Sequence, residues 1–315
     1  MNDSKVPGNG SAPRGAVDTE VWLLGQPQLW EYLEFVKDSA VDGADANKAD
    51  LTAEWMAANE YYQALENSES GIADQAECLP LDPSLTSAAE EVVADAKRRG
   101  SFSTLPIEFG MVELDKLILY QKSVTWTFVE AIAKRLGPAP DPETLFHFCL
   151  PLGDRDMPPV RTQRLGSKRF LFRAPSSDFR FHGEVLLRPD QLNYLSFGPI
   201  AAVVGLVVGF GSNLLNVIRS DRRLLLHNGY HRACALRSLG LTHAPCMIQT
   251  VNTADELQVT AKPVVANSPD FYFRSARPPL LKDFFDPRIR RALETHRHER
   301  IIEVSFEVKD YLVPE

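Results

Sequence analysis

Cysteine is scarce in this chain of 315 residues. The four cysteines are scattered along the sequence and form no dense framework: Cys78, Cys149, Cys234 and Cys246. This usage does not fit a small secreted domain held together by disulfides, and no charged segment followed by an apolar one opens the chain. We expect a reduced, cytoplasmic compartment.

Long hydrophobic runs are also missing. The most apolar stretch, IAAVVGLVVGF from Ile200 to Phe210, contains two glycines. It is much shorter than the roughly 20 residues that a membrane-spanning helix needs. We therefore expect this stretch in the protein core and no membrane as partner.

An excess of positive charge is absent as well. The formal net charge is −8 and the isoelectric point is near 5.5. Such a chain lacks the broad electrostatic attraction on which nonspecific nucleic-acid binders rely, so we do not expect a nucleic acid as the main partner. The 44% of hydrophobic residues is ample for a buried core, in one elaborated domain or two ordinary ones.

The N-terminal third is predicted to be helical after a flexible arm. Residues 1–20 are rich in Gly, Pro, Ser and Asp. A segment of this composition cannot bury enough apolar surface to offset the entropy that it loses on ordering, so we expect a flexible arm. Residues 21–104 form the helical region. One amphipathic helix is predicted near 48–67 by apolar residues at steps of four and three: Leu51, Trp55, Ala58, Tyr62 and Leu65. A second is predicted in LTSAAEEVVADAKRRG, where Ser87 and Glu90 have capping-box spacing and Gly100 suits the end.

From residue 105 onward the pattern becomes mixed. FGMVELDKLILYQ alternates as a half-buried strand does, and SVTWTFVEAIAKRLGP predicts a helix that ends at Gly137. KRFLFRAPSSDFRFHGEVLL and NVIRSDRRLLLHNG each predict a hairpin. The C-terminal extension, 252–315, holds a possible helix in DPRIRRALETH and a late strand in RIIEVSFEVKDYLVP.

The most informative segment runs from Leu224 to Val251. It predicts a strand, a glycine turn, a short helix and a second strand. At the start of a helix, unpaired backbone N–H groups and the positive dipole end favour an anion. The predicted phosphate-binding residues are consecutive: Asn228, Gly229, Tyr230, His231 and Arg232. The alternative is a well-made turn followed by a basic surface helix, with no ligand.

This segment resembles the ParB/sulfiredoxin-like superfamily. The family has a strand that ends in a glycine, a basic motif that opens a helix, and a strand that returns to the sheet, and the same order is found in NVIRSDRRLLLHNGYHRACALRSLGLTHAPCMIQTV. In addition, VELDKLILYQ resembles the opening strand of the family. GFGSNLLNVI resembles the segment that leads to its middle strands. The resemblance implies an α/β (α+β) fold with a mixed sheet. It implies a core at 105–251 with an insertion at about 122–189.

Departures from the family motifs narrow the function that this resemblance implies. Sulfiredoxins place a catalytic Cys where this chain has Tyr230, so sulfinic acid reduction is not expected. ParB partition proteins have a Gly-Glu-Arg-Arg type motif that contacts CTP and a following helix-turn-helix domain, and no such domain is readable here. Free-serine kinases of the family use a Gly-His-His-Arg type motif and a catalytic carboxylate. Gln121 stands at that carboxylate's position and is no general base, while Glu113 and Asp115 lie nearby.

We therefore expect a nucleotide or other phosphoryl ligand at the turn, with Mg²⁺ as its companion. Hydrolysis of the nucleotide and transfer of its phosphoryl group to a small molecule both stay open. The alternative is a non-catalytic ParB-like scaffold that serves nucleic-acid or protein contacts, with the N-terminal helices as a docking surface for a protein partner.

Two further patterns have ordinary explanations. His231 and Cys234, with His243 and Cys246, have the residue types of a zinc site, but two residues three apart on a strand point to opposite faces. We therefore predict no metal site. A basic cluster predicts a solvated surface, because strand alternation divides it between two faces: Arg161, Arg164, Lys168, Arg169 and Arg173.

Overall fold

The computed structural model describes residues 16–98, 102, 104–153, 157–176, 178–191, 193 and 198–314. The chain divides into two compact units. Unit 1 comprises Met1–Gly153 and Asn213–Arg297, and unit 2 comprises Asp154–Ser212 and His298–Glu315. The secondary structure is a mixture of helices and several sheets, which confirms the α+β class. No described helix is long and apolar enough to cross a membrane.

Unit 1 begins with a strand where a flexible arm was expected. The strands of this first sheet are β1 (Val17–Leu23), β4 (Ser123–Thr125) and β12 (Arg290–His296), in the order β12-β1-β4. The arm prediction for 1–20 is wrong from Val17 onward, because β1 is paired on both edges. Residues 1–15 of the predicted arm lie outside the described residues. The helix predicted in DPRIRRALETH is wrong too, because β12 pairs along its whole length with β1.

Three helices occupy most of the region up to residue 98. They are α1 (Leu29–Ser39), α2 (Lys48–Ser68) and α3 (Thr86–Arg98). The helix predicted near 48–67 is confirmed as α2. The capping box predicted at Ser87 is wrong, because a 3₁₀ turn at Pro83–Leu85 leads directly into α3. The cap acts on that turn, where the Asp82 carboxylate accepts a hydrogen bond from the Ser84 N–H at 2.9 Å.

The central sheet of unit 1 is mixed. Its strands, in spatial order, are β10 (Arg223–Asn228), β9 (Asn216–Ser220), β11 (His243–Thr250), β3 (Glu108–Glu113) and β2 (Cys78–Pro80). β9 and β11 are parallel and the other pairs are antiparallel. The predicted β9–β10 hairpin and the strand in FGMVELDKLILYQ are therefore confirmed. Helix α6 (Tyr230–Ser238) connects β10 to β11.

Further helices cover this sheet. They are α4 (Trp126–Leu136), α5 (Pro142–Cys149), α7 (Ala254–Thr260), α8 (Pro263–Ala266) and α9 (Pro269–Phe273). The helix predicted to end at Gly137 is confirmed as α4, and Gly137 follows it with φ +81°. The largest core cluster contains buried residues of α4, α5, α6 and the sheet.

Unit 2 contains two small sheets. One has the order β13-β6-β5, and the other pairs β7 with β8. The strands are β5 (Arg161–Arg164), β6 (Arg169–Ala174), β7 (Phe179–Leu187), β8 (Val203–Phe210) and β13 (Arg300–Ser305). The late strand is confirmed as β13. The hairpin predicted between β6 and β7 is wrong, because β6 pairs with β13 and β5 instead.

The apolar stretch from Ile200 to Phe210 is not core, contrary to our expectation. It forms β8, whose Val204 side chain is 67% exposed. The reason is that β8 belongs to a two-stranded sheet, which has too few neighbours to cover both faces of each strand.

Candidate functional site

The turn between β10 and α6 is built around Gly229. Residues Leu224 to Leu226 of β10 are fully buried and fix the strand in the core. Gly229 then adopts φ +96° and ψ 23°, a left-handed conformation that residues with a Cβ rarely adopt. A Cβ at this position would lie 2.6 Å from Cδ1 and 3.1 Å from Cα of Leu215. Glycine is therefore required here for both conformation and space.

Asn228 holds the strand side of the turn. Its Nδ2 donates a hydrogen bond to the Leu214 carbonyl at 3.2 Å. Directly opposite Asn228 in the β9–β10 ladder stands Asn216, after a bulge between Leu226 and Asn228. Asn216 is 1% exposed, and neither its Nδ2 nor its Oδ1 has a hydrogen-bond partner. A buried carboxamide without a partner is costly, so Asn216 is the least satisfied side chain beside this turn.

Sequence reasoning missed Asn216. A single Asn at the start of an apolar strand carries no motif and more often predicts a turn. Its place opposite Asn228 depends on strand register, which the local sequence does not fix on its own.

Tyr230 points into the protein. Its hydroxyl donates to the Leu226 carbonyl at 2.9 Å and accepts from the backbone N–H groups of Tyr120 at 3.0 Å and Gln121 at 3.3 Å. Burial raises the pKa of Tyr230 well above that of a free tyrosine. The side chain thus ties the first turn of α6 to Tyr120 and Gln121, just before β4, and its phenol is a structural hydrogen-bonding group.

His231 links the starts of two helices. Its Nε2 accepts a hydrogen bond from the backbone N–H of Thr125, the residue before α4, at 3.3 Å. The imidazole also meets the Phe128 ring edge to face at 5.1 Å between centroids. Because Nε2 acts as an acceptor in this contact, the imidazole is in a form with a lone pair at that atom. Protonation of Nε2 would abolish the hydrogen bond.

Arg232 is half-buried against α5. Its guanidinium carbon lies 5.9 Å from the centre of the Phe148 ring. Burial raises the pKa of the neighbouring Cys149 thiol to about 12, and the positive charge of Arg232 opposes that shift. The guanidinium therefore supplies a positive charge close to the start of α6.

The chemistry of the turn follows from two adjacent helix starts. The first turn of any α-helix has N–H groups without a partner inside the helix, and the dipole adds partial positive charge there. The contact between Thr125 and His231 brings the start of α4 beside the start of α6. Thr125 makes no side-chain cap on α4. The N-terminal ends of helices each favour negative charge nearby, and Arg232 in the first turn of α6 adds a positive charge.

The acidic residues considered from the sequence lie elsewhere. Asp115 pairs with Arg237 at the other end of α6, with 2.9 Å between Oδ1 and Nε. That is roughly 10 Å along the helix from Tyr230. Glu113 pairs with Lys116 at 3.0 Å. Gln121 does lie at the turn, where its Nε2 donates to the Ser123 carbonyl at 2.6 Å, but a carboxamide cannot accept a proton as a general base.

Two of the residues considered as zinc ligands, Cys234 and Cys246, lie in the protein core. Within the described ranges, no group of three or more His, Cys, Asp or Glu is arranged to hold a metal ion. Cys234 and Cys246 are buried, and burial raises the pKa of both thiols. The Cys246 thiol donates to the Leu215 carbonyl at 3.3 Å, as a small core residue can.

The basic cluster lies in unit 2, on β5, on β6 and at the residue before β6. All five of its side chains are exposed. Arg169 pairs with Glu303 of β13 at 3.4 Å, and the Arg164 guanidinium lies 5.9 Å from the centre of the Phe170 ring.

Comparison of the chain with protein-family models, with curated proteins and with solved structures gave no match.

Proposed function

We propose that this protein binds the phosphoryl group of a nucleotide, or of a related ligand, at the turn from Asn228 to Arg232. The observation that carries the proposal is the left-handed conformation of Gly229, a position where a Cβ would clash with Leu215. A glycine in this conformation between a buried strand and a helix holds the first N–H groups of α6 in one fixed direction. The resemblance to the ParB/sulfiredoxin-like superfamily supports the same choice of ligand.

Each of the five residues has its own role in this proposal. The backbone N–H groups at the start of α6 donate to phosphate oxygens, and Arg232 adds a charge-assisted donor. Asn228 holds the turn through the Leu214 carbonyl. Tyr230 is a positioning residue, because its hydroxyl is engaged with Leu226, Tyr120 and Gln121. His231 keeps the start of α4 beside the site.

Mg²⁺ fits this site only as part of the ligand. Magnesium often retains several waters and binds through substrate phosphates with one or two carboxylates. The described residues offer no metal-binding group of three acidic, His or Cys side chains, so the phosphates would bring the ion. Binding is better supported than turnover, since Gln121 offers no general base and the lone pair of His231 Nε2 is engaged by Thr125. Hydrolysis or phosphoryl transfer is the second step of the proposal.

A second candidate function is a non-catalytic scaffold. It is favoured by the inward hydrogen bonds of Tyr230 and His231, which give both residues a structural reason to be present. Exposed apolar side chains on the N-terminal helices supply a docking surface for a protein partner. Trp30 of α1 is 58% exposed and Met56 of α2 is 61% exposed.

Ligand-dependent thermal melts distinguish the two functions. ATP, ADP, CTP and GTP are tested separately with Mg²⁺, and one of them should raise the melting temperature as binding to the folded state requires. In calorimetry with that nucleotide, Arg232→Ala should weaken binding by about 1.5–3 kcal/mol, the size of a hydrogen bond to a charged group. Arg222→Ala, which removes an exposed arginine at the opposite end of β10, is the matched control and should bind as the parent does.

Two results would contradict the phosphoryl-ligand proposal. One is the absence of a shift with all four nucleotides, which would leave the scaffold as the better explanation. The other is equal loss of affinity in Arg232→Ala and Arg222→Ala, which would place the ligand away from the turn.

A further inference from the structure

Strand β8 differs in composition from every other strand of unit 2. Its sequence, VVGLVVGF, contains no charged residue. The other strands of this unit each contain at least two: Arg161 and Arg164 in β5, Arg169 and Arg173 in β6, Arg180 and Glu184 in β7, and Arg300 and Glu303 in β13. An uncharged strand of this kind is typical of the interior of a sheet.

The position of β8 contrasts with that composition, because β8 is an edge strand. It pairs with β7 from Val203 opposite Leu187 to Phe210 opposite Phe179. No strand in the described part of the chain pairs with its other edge. A two-stranded sheet is marginally stable in water, and an open edge presents a row of backbone N–H and C=O groups to any extended chain.

The side chains around this edge are exposed and apolar. On β8, Val204 is 67% exposed, Val207 is 42% exposed and Leu206 is 37% exposed. Leu186 of β7 stands directly opposite Val204 and is 71% exposed. Natural edge strands usually carry Lys, Pro or an inward-pointing charge that prevents pairing with another chain, and β8 has none of these.

We propose that β8 pairs antiparallel with β8 of a second copy of this chain. In an antiparallel two-fold pairing each residue of β8 faces another residue of the same segment. Because that segment contains no charged residue, the pairing brings no like charges together and leaves no charge without a partner. The product is a four-stranded sheet in the order β7-β8-β8-β7, in which the open edge groups are hydrogen-bonded. This proposal is independent of the phosphoryl ligand.

Light scattering coupled to size exclusion tests this proposal on the full chain. Samples that span roughly 1 to 200 μM cover the range in which a weak dimer forms. The parent should form a dimer, and Val204→Lys combined with Leu206→Lys should raise the dissociation constant of that dimer at least tenfold. The control combines Val259→Lys with Val264→Lys, two exposed apolar positions of unit 1, and should dimerise as the parent does. Circular dichroism verifies the fold of each variant.

A crosslinking experiment covers the case in which the double Lys variant fails to fold. The proposed pairing is centred on Leu206, near the middle of β8, so two copies of Leu206→Cys approach each other across the interface. In a Cys78→Ser background, which removes the exposed native thiol, Leu206→Cys should form a disulfide-linked dimer on mild oxidation.

Three results would overturn the proposal. They are a monomeric parent over the whole concentration range, a dimer that the folded Lys variant leaves unchanged, and no crosslink through Leu206→Cys. Truncation after Ser305 identifies the competing explanation, because the following residues include exposed Phe306, Val308 and Leu312. A dimer that this truncation abolishes and the Lys variant does not would assign the contact to the C-terminal segment instead.

Discussion

The two units of this protein bury their apolar residues to very different extents. Unit 1 contains extensive clusters of fully buried side chains, built from helices on both sides of a mixed sheet. Unit 2 contains small sheets, and β7 and β8 carry several exposed apolar side chains. Unit 2 also has ten Lys and Arg against ten Asp and Glu, so unit 1 carries the whole net charge of −8. The acidic character and the large buried clusters therefore belong to unit 1, whereas unit 2 is neutral and exposes apolar side chains on β7 and β8.

The buried ion pair of unit 1 should give the largest effect on stability. Arg277 and Asp283 are almost inaccessible to solvent, and their closest contact is 2.6 Å. Asp283→Ala leaves the guanidinium buried with a weakened set of partners, so the free energy of unfolding should fall by about 3–5 kcal/mol in a denaturant titration. The exposed pair of Asp270 and Arg274 supplies the control, because Asp270→Ala should cost at most about 1 kcal/mol. Equal effects of the two variants would show that burial does not set the cost.

A pair of leucine substitutions tests the contrast between the units directly. Leu226 of unit 1 is fully buried, whereas Leu186 of unit 2 is 71% exposed. Leu226→Ala should lower the free energy of unfolding by about 2–5 kcal/mol, since it removes buried methyl groups and leaves a cavity. Leu186→Ala should change it by less than about 0.5 kcal/mol at a concentration where the chain is monomeric. A large loss in Leu186→Ala would mean that unit 2 has a core of its own at this sheet.

The two glycines that flank α6 separate backbone strain from close packing. Gly229 and Gly240 both have positive φ, but a Cβ would meet Leu215 only at Gly229 and would meet nothing within 4 Å at Gly240. Gly240→Ala should therefore destabilise the protein by about 1–2 kcal/mol, the cost of a left-handed conformation. Gly229→Ala should cost about 1–3 kcal/mol more, as overpacking does. Chemical unfolding of the two variants gives the difference between their free energies of unfolding. Equal losses of stability would show that the close approach of Leu215 adds nothing to the requirement for glycine at position 229.

The smallest predicted effect concerns the carboxyl of Glu20 in β1. Burial raises its pKa, while hydrogen bonds from the side chains of Ser123 and Thr125 oppose the shift. A carboxyl with a raised pKa binds its proton more tightly in the folded state, so its ionisation destabilises the fold as pH rises above the unfolded value. Glu20→Gln should therefore add less than about 1 kcal/mol of stability at pH 7 and less still near pH 4. Glu294→Gln, at an exposed position of the same sheet, is the control, and the same pH dependence in both variants would refute this explanation.

Local sequence patterns were sufficient to predict those helices and strands whose formation depends mainly on their own residues. The periodicity of α2 and the succession β9, β10, Gly229, α6 and β11 were predicted because each element is regular and has a clear end. The predictions were wrong where pairing with a distant segment determines the secondary structure. DPRIRRALETH was predicted to hold a helix, but its residues from Arg290 to His296 pair with β1 and form a strand. The Pro-Ser-Ser-Asp turn signal suggested that β6 pairs with β7, whereas β6 pairs with β13, more than 120 positions further along the chain.

The candidate site shows the same division. Gly229 and the start of α6 were predictable from the strand, the glycine and the helix that follow one another. The inward orientation of Tyr230 was not, because its partners are the backbone groups of Leu226, Tyr120 and Gln121. The contact of His231 with Thr125 likewise joins residues that are 106 positions apart. No local pattern contains such contacts.

The backbone amides of the turn at Gly229 report most directly on the proposed binding of a phosphoryl group. In a ¹⁵N-labelled sample, titration with the nucleotide that stabilises the protein should shift the amide resonances of residues 229–232 and of Thr125 first and most. Amides at the other end of α6, such as those of Arg237 and Gly240, should move little because the dipole effect is confined to the first helical turn. Saturable shifts centred on the turn are the predicted result. Saturable shifts elsewhere, with the amide resonances of residues 229–232 unchanged, would contradict phosphoryl binding at the turn.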